Sequence, residues 1–121
     1  MIVIPIDEDR KSISQRFRKA DNFAFLDEGQ IFVKENEHKF SKSEPFFEHF
    51  KTLGVDTLYV KALGYKTFLK LEALGIEVYF VPEATRYNSI KPDELVLIGS
   101  KNAKEFCTLG HKMVHISKEV V

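Results

Sequence analysis

Two stretches of this chain repeat one pattern: Thr52-Leu-Gly-Val-Asp-Thr-Leu-Tyr-Val60 and Ala73-Leu-Gly-Ile-Glu-Val-Tyr-Phe-Val81. Each reads as a helix end, a glycine stop and a strand. Glycine closes a helix because it enters the left-handed conformation without a Cβ clash. The residues that follow are rich in Val, Ile and Tyr, which suit a buried sheet. Gly54 and Gly75 are 21 residues apart. That spacing holds one strand, one crossover helix and its turns, so it predicts a parallel β-α-β unit.

The remaining segments extend this α/β pattern. Ile2 to Ile6 is an apolar run that suits a central strand. Pro5 conflicts with that placement unless it sits where the strand leaves the sheet, because proline has no N–H for a ladder. Asn22–Asp27 and Gln30–Lys34 flank Glu28-Gly29, a hairpin signature. Ser43-Glu44-Pro45 predicts a helix start with Ser43 as its cap. Phe46, Phe50 and Leu53 then form an apolar stripe, with Phe47 set sideways as an interface residue. A second helix is expected from Tyr65 to Leu74, facing inward through Phe68, Leu71 and Leu74. Beyond Val81 lie a polar connector, the apolar run Leu95–Ile98, a short helix capped by Ser100 with Ala103, Phe106 and Cys107 inward, and a strand near Lys112–Ile116. The sequence leaves open whether this tail extends the sheet or folds over it.

At 121 residues the chain fits one domain. Eighteen basic and eighteen acidic residues cancel, which removes the electrostatic argument for a nucleic acid or membrane surface. The same neutrality permits a homodimer or another protein partner. One cysteine forms no internal disulfide and suits a reducing compartment. The opening residues lack a signal-peptide pattern and no apolar run reaches a membrane span, so the cytoplasm is the expected location.

The order of elements resembles the dinitrogenase iron–molybdenum cofactor biosynthesis family. Three stretches carry the likeness: Ile2-Val-Ile-Pro-Ile-Asp7; Ser14-Gln-Arg-Phe17 with Ala20-Asp-Asn-Phe23; and the glycine loop, helix and Gly-Ile exit from Gly64 to Ile76. The likeness implies a family-like core over residues 1–81 and leaves 82–121 as a C-terminal extension of the same domain. The resemblance implies a ribonuclease-H-like motif, with a mixed five-stranded sheet of order 3-2-1-4-5 flanked by helices. It implies a non-catalytic carrier or binding protein for an iron–sulfur or iron–molybdenum-type cofactor or its precursor, bound transiently. Arg16, Phe17, His38 and Gly64 are the positions implied to contact that cofactor. Three family glycines are replaced, by Arg18, Lys61 and Ala62. The alternative is an interaction or regulatory module that kept the fold and lost the cofactor site.

Other side chains offer chemistry of their own. Cys107, His111 and His115 recur at four-residue spacing, a soft-metal pattern if the helix continues, with Cys107 and His111 as the metal ligands. Gly110 interrupts that helix, and the plainer reading is a buried thiol and two surface imidazoles. His49, between Phe47 and Phe50, reads as a boundary residue. Arg16, Arg18, Lys61 and Lys66 gather near the carboxyl ends of strands one and four, where open α/β sheets bind ligands. Asp7, Glu8, Asp9 and Asp27 would make a two-metal nuclease only if they converged, and the hairpin puts Asp27 at the far end of the sheet. The chain shows no nucleophile–base pair, phosphate-cradling loop or zinc-protease spacing, so it is not expected to be an enzyme.

Overall fold

The computed structural model describes residues 1–82 and 84–107. One sheet of six strands has the order β3-β2-β1-β4-β5-β6. The strands are β1 (Ile2–Ile6), β2 (Asn22–Asp27), β3 (Gln30–Glu35), β4 (Thr57–Val60), β5 (Glu77–Phe80) and β6 (Val96–Ile98). The helices are α1 (Ser43–Phe50), α2 (Tyr65–Ala73) and α3 (Ala103–Phe106). β4 runs parallel to β1 and to β5, as the paired glycine units predict. The expected order of five is present, and β6 adds a sixth strand antiparallel to β5. The sheet is thus one strand wider than the sequence suggested.

The glycine stops behave as read. Gly54 (φ 76°) and Gly75 (φ 78°) are left-handed, each closing a helical segment. At the hairpin, Glu28 (φ 50°) and Gly29 (φ 82°) both take positive φ, the twist that matches flanking antiparallel strands. Pro5 sits beyond Val3–Leu58, the last β1–β4 pair, and its carbonyl accepts the Ser14 N–H at 2.8 Å. The β1–β4 pairing has thus ended before Pro5, which still lies opposite Phe23 of β2.

Strand alternation divides the core in two. Val3, Phe23, Phe25, Leu58, Val60 and Val78 face the helices, which contribute Phe46, Phe50, Phe68 and Leu71. Ile4, Ile6 and Ala24 face the opposite side and pack with Val81, Ala84, Tyr87 and Ile90. The connector after β5 thus covers the second face before returning as β6. The described part of the tail does both things the sequence left open: it folds over the sheet and extends it.

Three local expectations are corrected. α1 is capped by Lys42, not Ser43, and no side chain closes that end. Phe47 is 8% exposed, packed edge-on against Phe46 under the Lys70 ammonium, so it belongs to the core rather than to an interface. α3 is capped by Asn102, whose Oδ1 accepts the Gly99 N–H; Phe106 is 39% exposed against Phe80, while Ala103 and Cys107 are buried. The strand expected near Lys112–Ile116, and His111 and His115, lie outside the described residues.

Candidate functional site

The loop after β1 and the N-terminus of α2 meet at the carboxyl ends of β1 and β4. The loop's path is built by short polar side chains. The Asp9 carboxylate accepts the Lys11 and Ser12 amides and the Ser12 hydroxyl, at 2.9, 2.8 and 2.6 Å. These bonds hold the Asp9 carboxyl down at about 2, well below its ordinary 3.8. Ser14, buried, accepts the Arg16 N–H through Oγ at 3.0 Å. Asn36, also buried, donates through Nδ2 to the carbonyls of Arg18 and Ala20, both at 2.9 Å. Phe17 then drives into the core, edge-on to Phe46 and Phe50 at centroid distances of 5.3 Å.

Anchored at that ring, the loop exposes its cations. Arg16, Arg18, Lys19, Leu63, Gly64 and Thr67 line a cavity of about 290 Å³. This lies at the small end of the roughly 300–1,000 Å³ typical of ligand sites. Among the described residues no carboxylate lines it. Gly64 is the N-cap of α2 in an extended conformation (φ −74°, ψ 149°), with no side-chain cap. The first bond into the helix runs from Phe68 N–H to the Gly64 carbonyl at 2.9 Å. The preceding amides, Tyr65 to Thr67, therefore have no intrahelical acceptor and carry the positive end of the helix dipole. No acidic residue stands in that first turn. Cations and unpaired amides converge on one cavity, an arrangement suited to a polyatomic anion.

The structure joins some of the expected site residues and separates others. Arg16, Phe17 and Gly64 border the same cavity, but Phe17 does so from a ring buried in the core. His38 does not line it. Its Nδ1 lies 2.9 Å from Ser41 Oγ, and the Ser41 carbonyl accepts an Arg18 N–H at 3.3 Å, so His38 stands behind the cavity wall. Lys61 turns away, its Nζ donating to the Ala84 carbonyl at 2.5 Å, and Lys66 is exposed outside the lining. Lys19 takes a place the sequence reading did not give it, as do Ser14 and Asn36 behind the loop. Asn36 stands where a polar side chain follows an apolar-alternating strand, and only that placement hinted at its role. Cys107 is 1% exposed, and burial pushes its thiol up to about 11. Among the described residues no group of three or more His, Cys, Asp and Glu is placed to hold a metal ion. Register puts Asp7 beyond Ile6 and Asp27 beyond Leu26, at opposite ends of β1, so these carboxylates do not converge.

This geometry can be set against known proteins. A profile of the family described as dinitrogenase iron-molybdenum cofactor matches residues 1–90. The chain belongs to that family. The match runs past Val81 into the connector over the second sheet face. Among solved structures, the apo form of the orange protein from Desulfovibrio gigas superposes with TM-score 0.57 at 20% identity, over 70% of this chain and 78% of that one. A Thermotoga protein provisionally assigned as NifB and placed in the DUF35 family, solved by NMR, gives TM-score 0.55 at 24% identity, over 70% and 77%. At these identities the likeness is one of fold. No curated protein matches the chain. Family membership and fold agree on a dinitrogenase-cofactor-type domain, and no described helix is long and apolar enough to cross a membrane.

Proposed function

We propose that this protein is a non-catalytic carrier that holds an anionic metal–sulfur cofactor, or a precursor of one, as cargo in the cavity between Arg16–Lys19 and the N-terminus of α2. One observation carries the reading: three cations, with Gly64 and Thr67 from the uncapped start of a nine-residue helix, line a cavity to which no carboxylate contributes among the described residues. The donor chemistry narrows the mode of binding. Among the described residues the lining offers N–H groups and positive charge but no thiolate or imidazole. A cluster would therefore be held through hydrogen bonds and charge at its sulfides, not through a bond to metal. Such outer-sphere holding favours release to a recipient protein, because no coordinate bond must break.

The three replaced glycines fit this reading in part. Arg18 adds a guanidinium where the family has a bare backbone, exchanging amide approach for side-chain charge. The test is anaerobic titration with tetrathiomolybdate, and separately with a reconstituted iron–sulfur species, followed by visible absorption. Wild-type protein should bind with a salt-sensitive affinity that Arg16→Glu and Arg18→Glu reduce. Binding by neither anion would remove the proposal.

A second reading rests on a different surface. Ile31, Phe32 and Phe40 are 50%, 40% and 87% exposed on and after the edge strand β3, which favours a protein partner or a second copy there. Light scattering decides it: a strict monomer that captures no partner counts against this reading.

A further inference from the structure

His38 and His49 come from different elements, the loop after β3 and the last turn of α1, yet their ring centroids lie 4.3 Å apart at an interplanar angle of 32°. Both side chains are half-buried and reachable from solvent. We propose that this pair is a site for a borderline divalent cation of the Zn²⁺, Ni²⁺ or Cu²⁺ type, with two imidazoles from the protein and water completing the shell. Imidazole nitrogens bound at about 2.0 Å to a tetrahedral ion stand roughly 3.3 Å from one another. With centroids 4.3 Å apart the two imidazoles are near enough to share one ion, and the reorientation falls to His49, whose ring makes no hydrogen bond among the described residues, while His38 keeps its Ser41 contact.

The surroundings fit a cation. His38 Nδ1 is engaged by Ser41 Oγ at 2.9 Å, which orients the ring and leaves Nε2 without a protein partner among the described residues. Fixing one ring nitrogen through a hydrogen bond is how metal-ligating histidines are held. Glu35 and Glu37 border the groove that His49 lines, against one cation there, Lys34. The His49 side is thus net acidic, whereas the His38 side carries Arg18, bonded to the Ser41 carbonyl, and Lys39. Only two imidazoles meet, so the ion would be readily exchanged.

The consequence reaches the anion cavity. The His38 N–H donates to Asn36 Oδ1 at 3.0 Å, and Asn36 also holds the carbonyls of Arg18 and Ala20. An ion joining His38 to His49 ties this loop to α1 and so braces the back of the cavity wall.

The test is calorimetric titration of Zn²⁺ into the full chain with a thiol-free reductant. Wild-type protein should bind one equivalent, and His38→Ala and His49→Gln should each weaken it by about tenfold or more. A triple variant, Cys107→Ser with His111→Ala and His115→Ala, should keep the wild-type affinity. Zn²⁺ should also shift the ring resonances of His38 and His49 in the NMR spectrum. Melting curves without metal check the fold; if His38→Ala lowers its melting temperature, the His49→Gln result decides. Wild-type affinity in His49→Gln overturns the proposal, as does a loss confined to the triple variant.

Discussion

Substituting Gly64 with Asp separates the folding role of this position from its binding role. Gly64 has φ −74° and ψ 149°, a conformation open to any residue, so no backbone strain follows the change. As the N-cap of a helix with no side-chain cap and no acid in its first turn, it leaves two stabilising effects unused. An Asp carboxylate would accept an amide at Lys66 or Thr67, worth a few tenths of a kcal/mol over glycine, and add roughly 0.3–1 kcal/mol through the helix dipole. Gly64→Asp should therefore raise stability by about 0.5 kcal/mol, which for a chain of this size is roughly 2 °C in melting temperature. Binding should move the other way. A unit charge about 5 Å from a dianion repels it by about 1.7 kcal/mol at the dielectric of water and about 7 at an effective value near 20. The cavity is open, so the lower figure applies, and it corresponds to a loss of roughly 20-fold. Anaerobic absorbance titration with tetrathiomolybdate reads the affinity, and urea unfolding reads the stability. Gly64→Ser adds a cap without charge and should lose much less affinity than Asp. A stabilised Gly64→Asp protein that binds as well as wild type would refute the site at α2. A destabilised one would refute the account of the cap.

Gly54→Ala should cost about 1 kcal/mol, because nothing lies within 4 Å of an added Cβ and the penalty comes from φ alone; urea unfolding checks it, and a neutral result would contradict the closing role of this glycine. The Asp9 carboxyl titrates lower folded than unfolded, so its stabilisation is complete above about 3.8 and is lost as pH falls toward about 2. Wild-type urea midpoints should accordingly fall more than those of Asp9→Asn across that window, and parallel curves would show that the turn contributes nothing. Cys107, buried and with its thiol raised to about 11, should react with a disulfide reagent at pH 8 about 100-fold or more slowly in the native protein than in urea. A rapid stoichiometric reaction would contradict the burial of this thiol.

What the sequence made legible was local and periodic. Gly54 and Gly75 mark helix ends because the left-handed turn they make is chemically demanding, and the Val-rich strands after them have no other plausible environment. The hairpin at Glu28-Gly29 is readable for the same reason. Capping was less so: Ser43 looks like a cap, yet Lys42 takes that place and the serine enters the helix. The connector after Val81 was illegible because it covers the sheet through scattered contacts of Ala84, Tyr87 and Ile90, which share no period. β6 has only three residues, too few for alternation to declare itself. At the cavity, Arg16 and Gly64 were visible through the family likeness. The direction of a long side chain was not: Lys61 and Arg18 look equivalent in sequence, and only the Ala84 carbonyl, brought close by the fold, draws Lys61 away. His38 was placed near the right loop but on the wrong side of it, since its partner His49 lies 11 positions along the chain on another element.

Amide mapping by NMR tests the cargo site most directly. Tetrathiomolybdate added under anaerobic conditions should perturb the backbone resonances of Arg16 to Lys19 and of Gly64 to Thr67, and leave β3, β6 and α3 unmoved. Perturbation centred on Cys107 and the residues after it, with the α2 N-terminus silent, would contradict the account.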